Sequence, residues 1–321
     1  MSGLSTVAKN HPNSRGLSMA IVTASFGLSG LTTGNINIRA MYLSFGVLLS
    51  TVGLFSAYTL RIIDTNAHVG VSAVYDSDDE DDETTALLSQ SAILEPSDKL
   101  SQMDRMKTFL KDHSSWWYFL AFILLAGPGE VFTNNLGTMF QALQDSRVDS
   151  MSASSQVSLF ALSSTCGRLL FGALCDVPSK SPITARMLIL ILTATLLSFG
   201  FIYLSLLSTA STFWVSSVAV GAGYGGLFTV YPAIISIVWG TENFATFWGC
   251  LATAPAVGST SFGILYAKMY DRVSTDQGNG LCRGRECFGT STLWFAGANL
   301  VGVGILMFAT VVWRRRFSTE S

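Results

Sequence analysis

Apolar residues gather along the chain into eight long blocks, at about 17–35, 40–60, 115–139, 153–175, 184–207, 211–238, 244–268 and 290–313. Charged or turn-forming residues bound each of them. A bilayer core is crossed by about 20 helical residues, so each block has the length of one membrane span. Residues 187–241 carry no charge in 55 consecutive positions, room for two spans and the turn between them. Two blocks are interrupted near the middle, one by Gly127-Pro128-Gly129 and one by Pro255 with Gly258. Membrane helices tolerate such breaks when neighbours satisfy the freed backbone groups. Residues 1–16 are polar, with Lys9, His11 and Arg15, and lack the short apolar core of a cleavable signal.

Composition agrees. Apolar residues make up 49% and charged residues 12%, against roughly 25% charged in an ordinary globular chain. The mean hydropathy is +0.44. A soluble enzyme, a nucleic-acid binder and a disordered scaffold are excluded in favour of an all-α polytopic membrane protein. The net charge of −2 hides a local run, seven acids in the eight positions 76–83, without which 14 acids face 19 bases. With eight spans both termini lie on one side. The segments on that side hold thirteen Lys and Arg against six on the other, which points to the cytosol.

Two spans, a polar stretch and six further spans give the expected organisation. Residues 1–61 form a two-span unit, 62–114 an acidic cytosolic loop expected to be disordered, 115–314 a six-helix bundle and 315–321 a cytosolic tail. Within the loop Glu83 precedes Leu87 and Leu88 by four and five residues. An extended peptide so spaced offers a charge and two apolar anchors to a sorting adaptor; equally, the leucines are apolar residues of a linker.

The stretch Ser163 to Asp176 contains Gly167-Arg168-Leu169-Leu170-Phe171-Gly172-Ala173-Leu174-Cys175-Asp176. It resembles the Gly-Arg-x-x-x-Gly-x-x-x-Asp element of the major facilitator superfamily, found there at the cytosolic end of the eighth span. Arg15-Gly16-Leu17 through Ser25-Phe26-Gly27-Leu28-Ser29-Gly30 resembles the fungal monocarboxylate-transporter-homologue branch, close to the nodulin-like proteins. So do Gly127-Pro128-Gly129-Glu130 with Asn134-Asn135-Leu136-Gly137, and Cys282 through Phe288. The resemblance implies a major facilitator fold in which this chain matches spans five to twelve: two helices of the N-terminal bundle and all six of the C-terminal bundle. On that match the fold is incomplete, the first four spans are absent, and a truncated, transport-defective form is expected.

Glu130 is the only acid placed inside a span, about 24 Å along its helix from Ser114. A carboxylate in hydrocarbon faces a cavity or a partner. Gly127, Pro128 and Gly129 are expected to break the helix there, as in transporters with discontinuous helices, with Asn134 and Asn135 adding amides one turn on. Glu130 is read either as a proton- or substrate-coupling carboxylate or as a solvated acid at the lumenal rim. Tyr224 and Tyr231 are further candidates for the cavity, set among Gly221, Gly223, Gly225, Gly226 and Pro232 that otherwise serve close packing. The resemblance carries a conformational latch onto Gly167, Arg168, Gly172 and Asp176; interfacial snorkelling of Arg168 is the alternative. Cys166, Cys175 and Cys250 read as buried small hydrophobes. Cys282 and Cys287 share a Gly-containing loop outside the cytosol, where a disulfide persists. No second Cys/His pair supports zinc, and no cofactor is implied.

These features lead to a secondary transporter of a small, neutral or weakly acidic solute, monocarboxylate-like if the resemblance holds, with proton coupling at Glu130. The alternative is a non-transporting membrane scaffold that recruits cytosolic factors through its acidic loop. No Ser/His/Asp arrangement, HExxH, paired carboxylates or nucleotide loop supports an enzyme. The dileucine and the resemblance point to the vacuolar membrane, with the plasma membrane second.

Overall fold

The computed structural model describes residues 15–28, 107, 109, 111–144, 152–177, 182–241, 244–278 and 282–318, together with 46–47, 50–51 and 53–54. Its helices are α1 (Arg15–Leu28), α2 (His113–Leu143), α3 (Ala153–Cys175), α4 (Pro182–Leu206), α5 (Phe213–Val238), α6 (Phe244–Leu251), α7 (Ala254–Asp276) and α8 (Glu286–Ser318). Among the described residues six segments are long and apolar enough to cross a membrane, with α6 and α7 together making one of them. The expected 40–60 span falls almost wholly outside the described residues, and its few described positions are helical. The acidic run and Glu83, Leu87 and Leu88 lie outside them as well.

Local chemistry starts the helices. The Asp112 carboxylate accepts from the Ser114 amide at 3.0 Å and caps α2. Ser152 does the same for α3 through the Ser155 amide, at 3.3 Å. The most buried span is α5, wedged between α3 and α4. Its glycines make this possible: a methyl on Gly221 or Gly225 would overlap Ser163 or Ser164 of α3, and one on Gly223 would lie 2.9 Å from the Thr193 carbonyl of α4. Four aromatic residues, Phe122, Tyr118, Tyr231 and Trp313, are fully buried where α2, α5 and α8 meet. Phe122 and Tyr231 stack at 4.1 Å between centroids.

The two Gly/Pro interruptions behave differently. α2 runs unbroken from His113 to Leu143 with Pro128 inside it, so the break expected at Gly127-Pro128-Gly129 does not occur. Pro128 cannot donate to the Leu124 carbonyl, but the helix continues through it, packed closely on both sides: Gly127 lies directly on Gly258 of α7, and Gly129 lies under the Tyr224 ring. The other interruption does break a helix. The chain turns at Ala252–Thr253, and Pro255 falls in the first turn of α7, where the missing N–H matters least.

Candidate functional site

Glu130 stands 17 residues into α2, about 26 Å from its start and somewhat past its middle. It is the only acid of the described spans that lies away from a helix end. Half-buried, its carboxylate accepts a short hydrogen bond from the Tyr224 hydroxyl of α5. The Tyr224 ring is placed by the neighbouring Gly129, where a methyl group would meet ring carbon Cδ2 at 2.5 Å, and by Phe228, 4.8 Å away between centroids.

Arg168, on α3, is 7% exposed although it lies two turns inside its helix. Its guanidinium donates to the Thr23 carbonyl of α1 at 2.8 Å and lies 6.0 Å from the Phe228 ring centroid, while its Nε has no partner among the described residues. Interfacial snorkelling does not describe such a residue, because its charged head turns inward. Carboxylate and phenol, from α2 and α5, are thus hydrogen-bonded to each other, and the guanidinium of α3 lies against Phe228, the ring that also packs on Tyr224.

The second half of the element acts at the bundle end. The Asp176 carboxylate accepts from the Gly16 and Leu17 amides at 2.8 and 2.7 Å, capping the start of α1 from another helix. An anion at a helix N-terminus is favoured by the unpaired amides and by the dipole. Between Asp176 and Arg168 the backbones of α1 and α3 touch: a methyl on Gly172 would lie 2.5 Å from the Ala20 Cβ. Gly167 serves a different seam, against Ala222 of α5. Thr23, Gly16 and Leu17 were not found from the sequence, since each contributes only a backbone group.

Other candidates fall elsewhere. Asn134 is exposed one turn beyond Glu130, whereas Asn135 donates to the Val131 carbonyl of its own helix at 2.9 Å. Tyr231 does not join Glu130. It is fully buried two turns from Tyr224, its ring stacked among Phe122 and Tyr118, because the apolar core closes over that face of α5. Cys166 is exposed, contrary to expectation, because its side of α3 faces away from the bundle; Cys175 is buried and Cys250 half-buried.

At the opposite end a disulfide joins Cys282 and Cys287. The ring it closes is bonded to neighbouring helix ends. Gly284, at φ +92°, donates its N–H to the Ala142 carbonyl of α2 at 2.7 Å, and Arg285 reaches the Leu206 carbonyl of α4. The Gln277 side chain donates to the Arg283 carbonyl and accepts the Arg283 amide, at 2.9 and 2.8 Å.

A helical bundle of membrane spans with a buried charged group and an interhelical clasp on an added helix is the architecture of a membrane carrier. The chain belongs to the Major Facilitator Superfamily, whose family model matches residues 3–263, and within it to the fungal branch of monocarboxylate-transporter homologues. It is 30% identical over 409 aligned positions to the "Probable transporter mch1" of Neurospora crassa, covering 96% of this chain and 67% of that protein. The similarity to the protein of the same name from Emericella nidulans is also 30%, over 98% of this chain and 67% of the relative. For the Candida albicans "Probable transporter MCH1" the identity is 28%, over 99% and 68%. The chain thus spans about two-thirds of the length of these relatives. It is an integral membrane transporter of the family and not an enzyme.

Proposed function

We propose secondary active transport of a small, neutral or weakly acidic solute, with Glu130 as the proton-coupling carboxylate and Tyr224 as its hydrogen-bond partner. The observation that carries this reading is the bond between the Tyr224 hydroxyl and the sole mid-span acid, with Tyr224 and the buried Arg168 both packed against Phe228. Glu130 bonds Tyr224, Tyr224 packs on Phe228, and Phe228 packs on Arg168, whose guanidinium holds α1 through Thr23, so a change at the carboxylate has a packed route to the seam. Arg168 and Asp176 act as the latch: they hold α1 on α3 in the state seen here and release it as the carrier rocks.

The finer expectations follow from sequence signals. A monocarboxylate is the substrate class suggested by the branch to which the chain belongs. Both termini are placed in the cytosol by the Lys and Arg bias, with residues 62–114 as a cytosolic loop. Glu83, Leu87 and Leu88 would send the protein to the vacuolar membrane through an adaptor.

The test uses the full chain in vesicles loaded with a pH-sensitive dye. Short monocarboxylates (acetate, lactate and pyruvate) are added with and without an imposed pH gradient. Wild type is expected to move protons with the solute; no movement by wild type would bear out the transport-defective form expected from the sequence. Glu130→Gln is expected to lose the proton movement while still exchanging solute across the bilayer. Proton-coupled uptake in Glu130→Gln equal to wild type would remove Glu130 from the mechanism.

A further inference from the structure

The short helix α6 has 8 residues. A helix of that length does not persist by itself and takes its stability from what it packs against. It also has a backbone break at either end. Between α5 and α6 the chain passes through Gly240 at φ +80°, a conformation that glycine adopts freely, and no atom lies within 4 Å of where its Cβ would stand. Between α6 and α7 it turns at Ala252–Thr253. Thr253 gives α7 no side-chain cap; its hydroxyl donates back to the Cys250 carbonyl of α6 at 2.7 Å. Pro255, in the first turn of α7, has no N–H with which to tie the two helices together.

Aromatic rings hold the buried face of α6, which consists of Phe244, Phe247, Trp248 and Leu251. Trp248 lies 6.0 Å from Phe122 of α2, and Phe247 stacks on Phe109 at 4.7 Å between centroids. Phe109 stands outside the six spans, four residues before α2, yet is only 5% exposed. Its ring also meets Trp239, the C-cap of α5, edge-on at 5.3 Å. Its carbonyl accepts from Ser115 Oγ at 2.8 Å and from the Asp112 amide at 3.3 Å, which fixes it to the start of α2. Beside this pair a cavity of about 150 Å³ has Phe109, Phe119, Cys250 and Thr253 in its lining. The last turn of α6 is thus backed on that side by empty space, which contributes no dispersion contacts.

We propose that α6 is a hinged lid at this end of the bundle, swinging on Gly240 and on Ala252–Thr253, and that Phe109 is the strap that holds it shut. The strap belongs to the stretch leading into α2, so a displacement of that stretch frees the lid. The device shares no residue with Glu130, Tyr224 or Arg168, and its test reads no transport.

Cys250, in the last turn of α6, reports on the lid, and the buried Cys175 of α3 reports on the rest of the bundle. Cys282 and Cys287 are paired, so Cys166→Ala leaves these two thiols. The full chain with this change is placed in phospholipid bilayer discs and alkylated with N-ethylmaleimide, and the two sites are followed separately by peptide mass. Phe109→Ala is expected to speed alkylation of Cys250 about fivefold, the factor that one stacked aromatic pair supplies, with Cys175 unchanged. Phe109→Tyr keeps the ring and should keep the wild-type rate. Phe119→Ala widens the same cavity, but its ring partner is Trp116 of its own helix, so the Cys250 rate should stay close to that of wild type. An unchanged Cys250 rate in Phe109→Ala overturns the proposal, as does Phe109→Tyr behaving like Phe109→Ala. Equal acceleration by Phe119→Ala overturns it too, since the cavity wall and not the strap would then control access. Acceleration at both thiols would show that Phe109 holds the whole bundle and not a lid, and a Cys250 unreactive in every variant would show that no lid opens.

Discussion

The Tyr224 hydroxyl and the Glu130 carboxylate make a charge-assisted contact in a region where water is scarce, so its loss leaves the carboxylate short of a donor. Tyr224→Phe removes that donor alone, since the ring still packs on Gly129 and Phe228. A hydrogen bond to a charged group contributes about 1.5–3 kcal/mol, so proton-coupled flux is expected to fall by about tenfold to a hundredfold. Flux in Tyr224→Phe within a factor of two of wild type would show that the phenol packs and does nothing more. Glu130 was legible in the sequence because an acid in an apolar block is conspicuous. Its partner was only half legible: Tyr224 and Tyr231 have the same chemistry and lie on one helix, and only tertiary packing separates the tyrosine that meets the acid from the one sealed in the core.

At the scale of elements, hydropathy located the six spans of the bundle closely, because their length is imposed by the bilayer. It was less informative about which Gly/Pro site bends. Pro128 and Pro255 look alike in sequence, yet one sits in an unbroken helix and the other starts a new one. The difference lies in what packs opposite, Gly258 and Tyr224 against Gly127 and Gly129, which no local pattern shows. The loop between α7 and α8 is a further case. Cys282 and Cys287 were evident as a pair, but the ring's docking onto the carbonyl ends of α2 and α4 was not, since Ala142 and Leu206 offer only backbone oxygens. Closing so short a ring limits the unfolded chain by about 2 kcal/mol. Cys282→Ser with Cys287→Ser is therefore expected to lower the unfolding free energy in detergent by about that amount. An unchanged thermal midpoint, with the disulfide verified in wild type by mass, would mean that the hydrogen bonds alone hold the loop.

For the molecule as a whole, the proposed latch is the seam between α1 and α3. Arg168 grips α1 from within the bundle and Asp176 grips it at its first amides, eight residues apart on one helix. Cys175 lies beneath that seam, 3% exposed, with the Gly16 backbone directly over it. Its thiol is thus a reporter: it becomes reachable when α1 lifts. Asp176→Asn keeps the side-chain shape but removes the charge that favours the α1 N-terminus, an effect of about 0.3–1 kcal/mol near a surface. In a Cys166→Ala, Cys250→Ala background, this change is expected to speed alkylation of Cys175 by about twofold to fivefold. Adding a transported solute to the unmodified seam should act in the same direction, because both shift the population towards the open form. An alkylation rate indifferent to Asp176→Asn would mean that close packing at Gly16, Ala20 and Gly172 holds the seam without the carboxylate. The element would then serve packing, and the release step of the carrier would have to lie elsewhere.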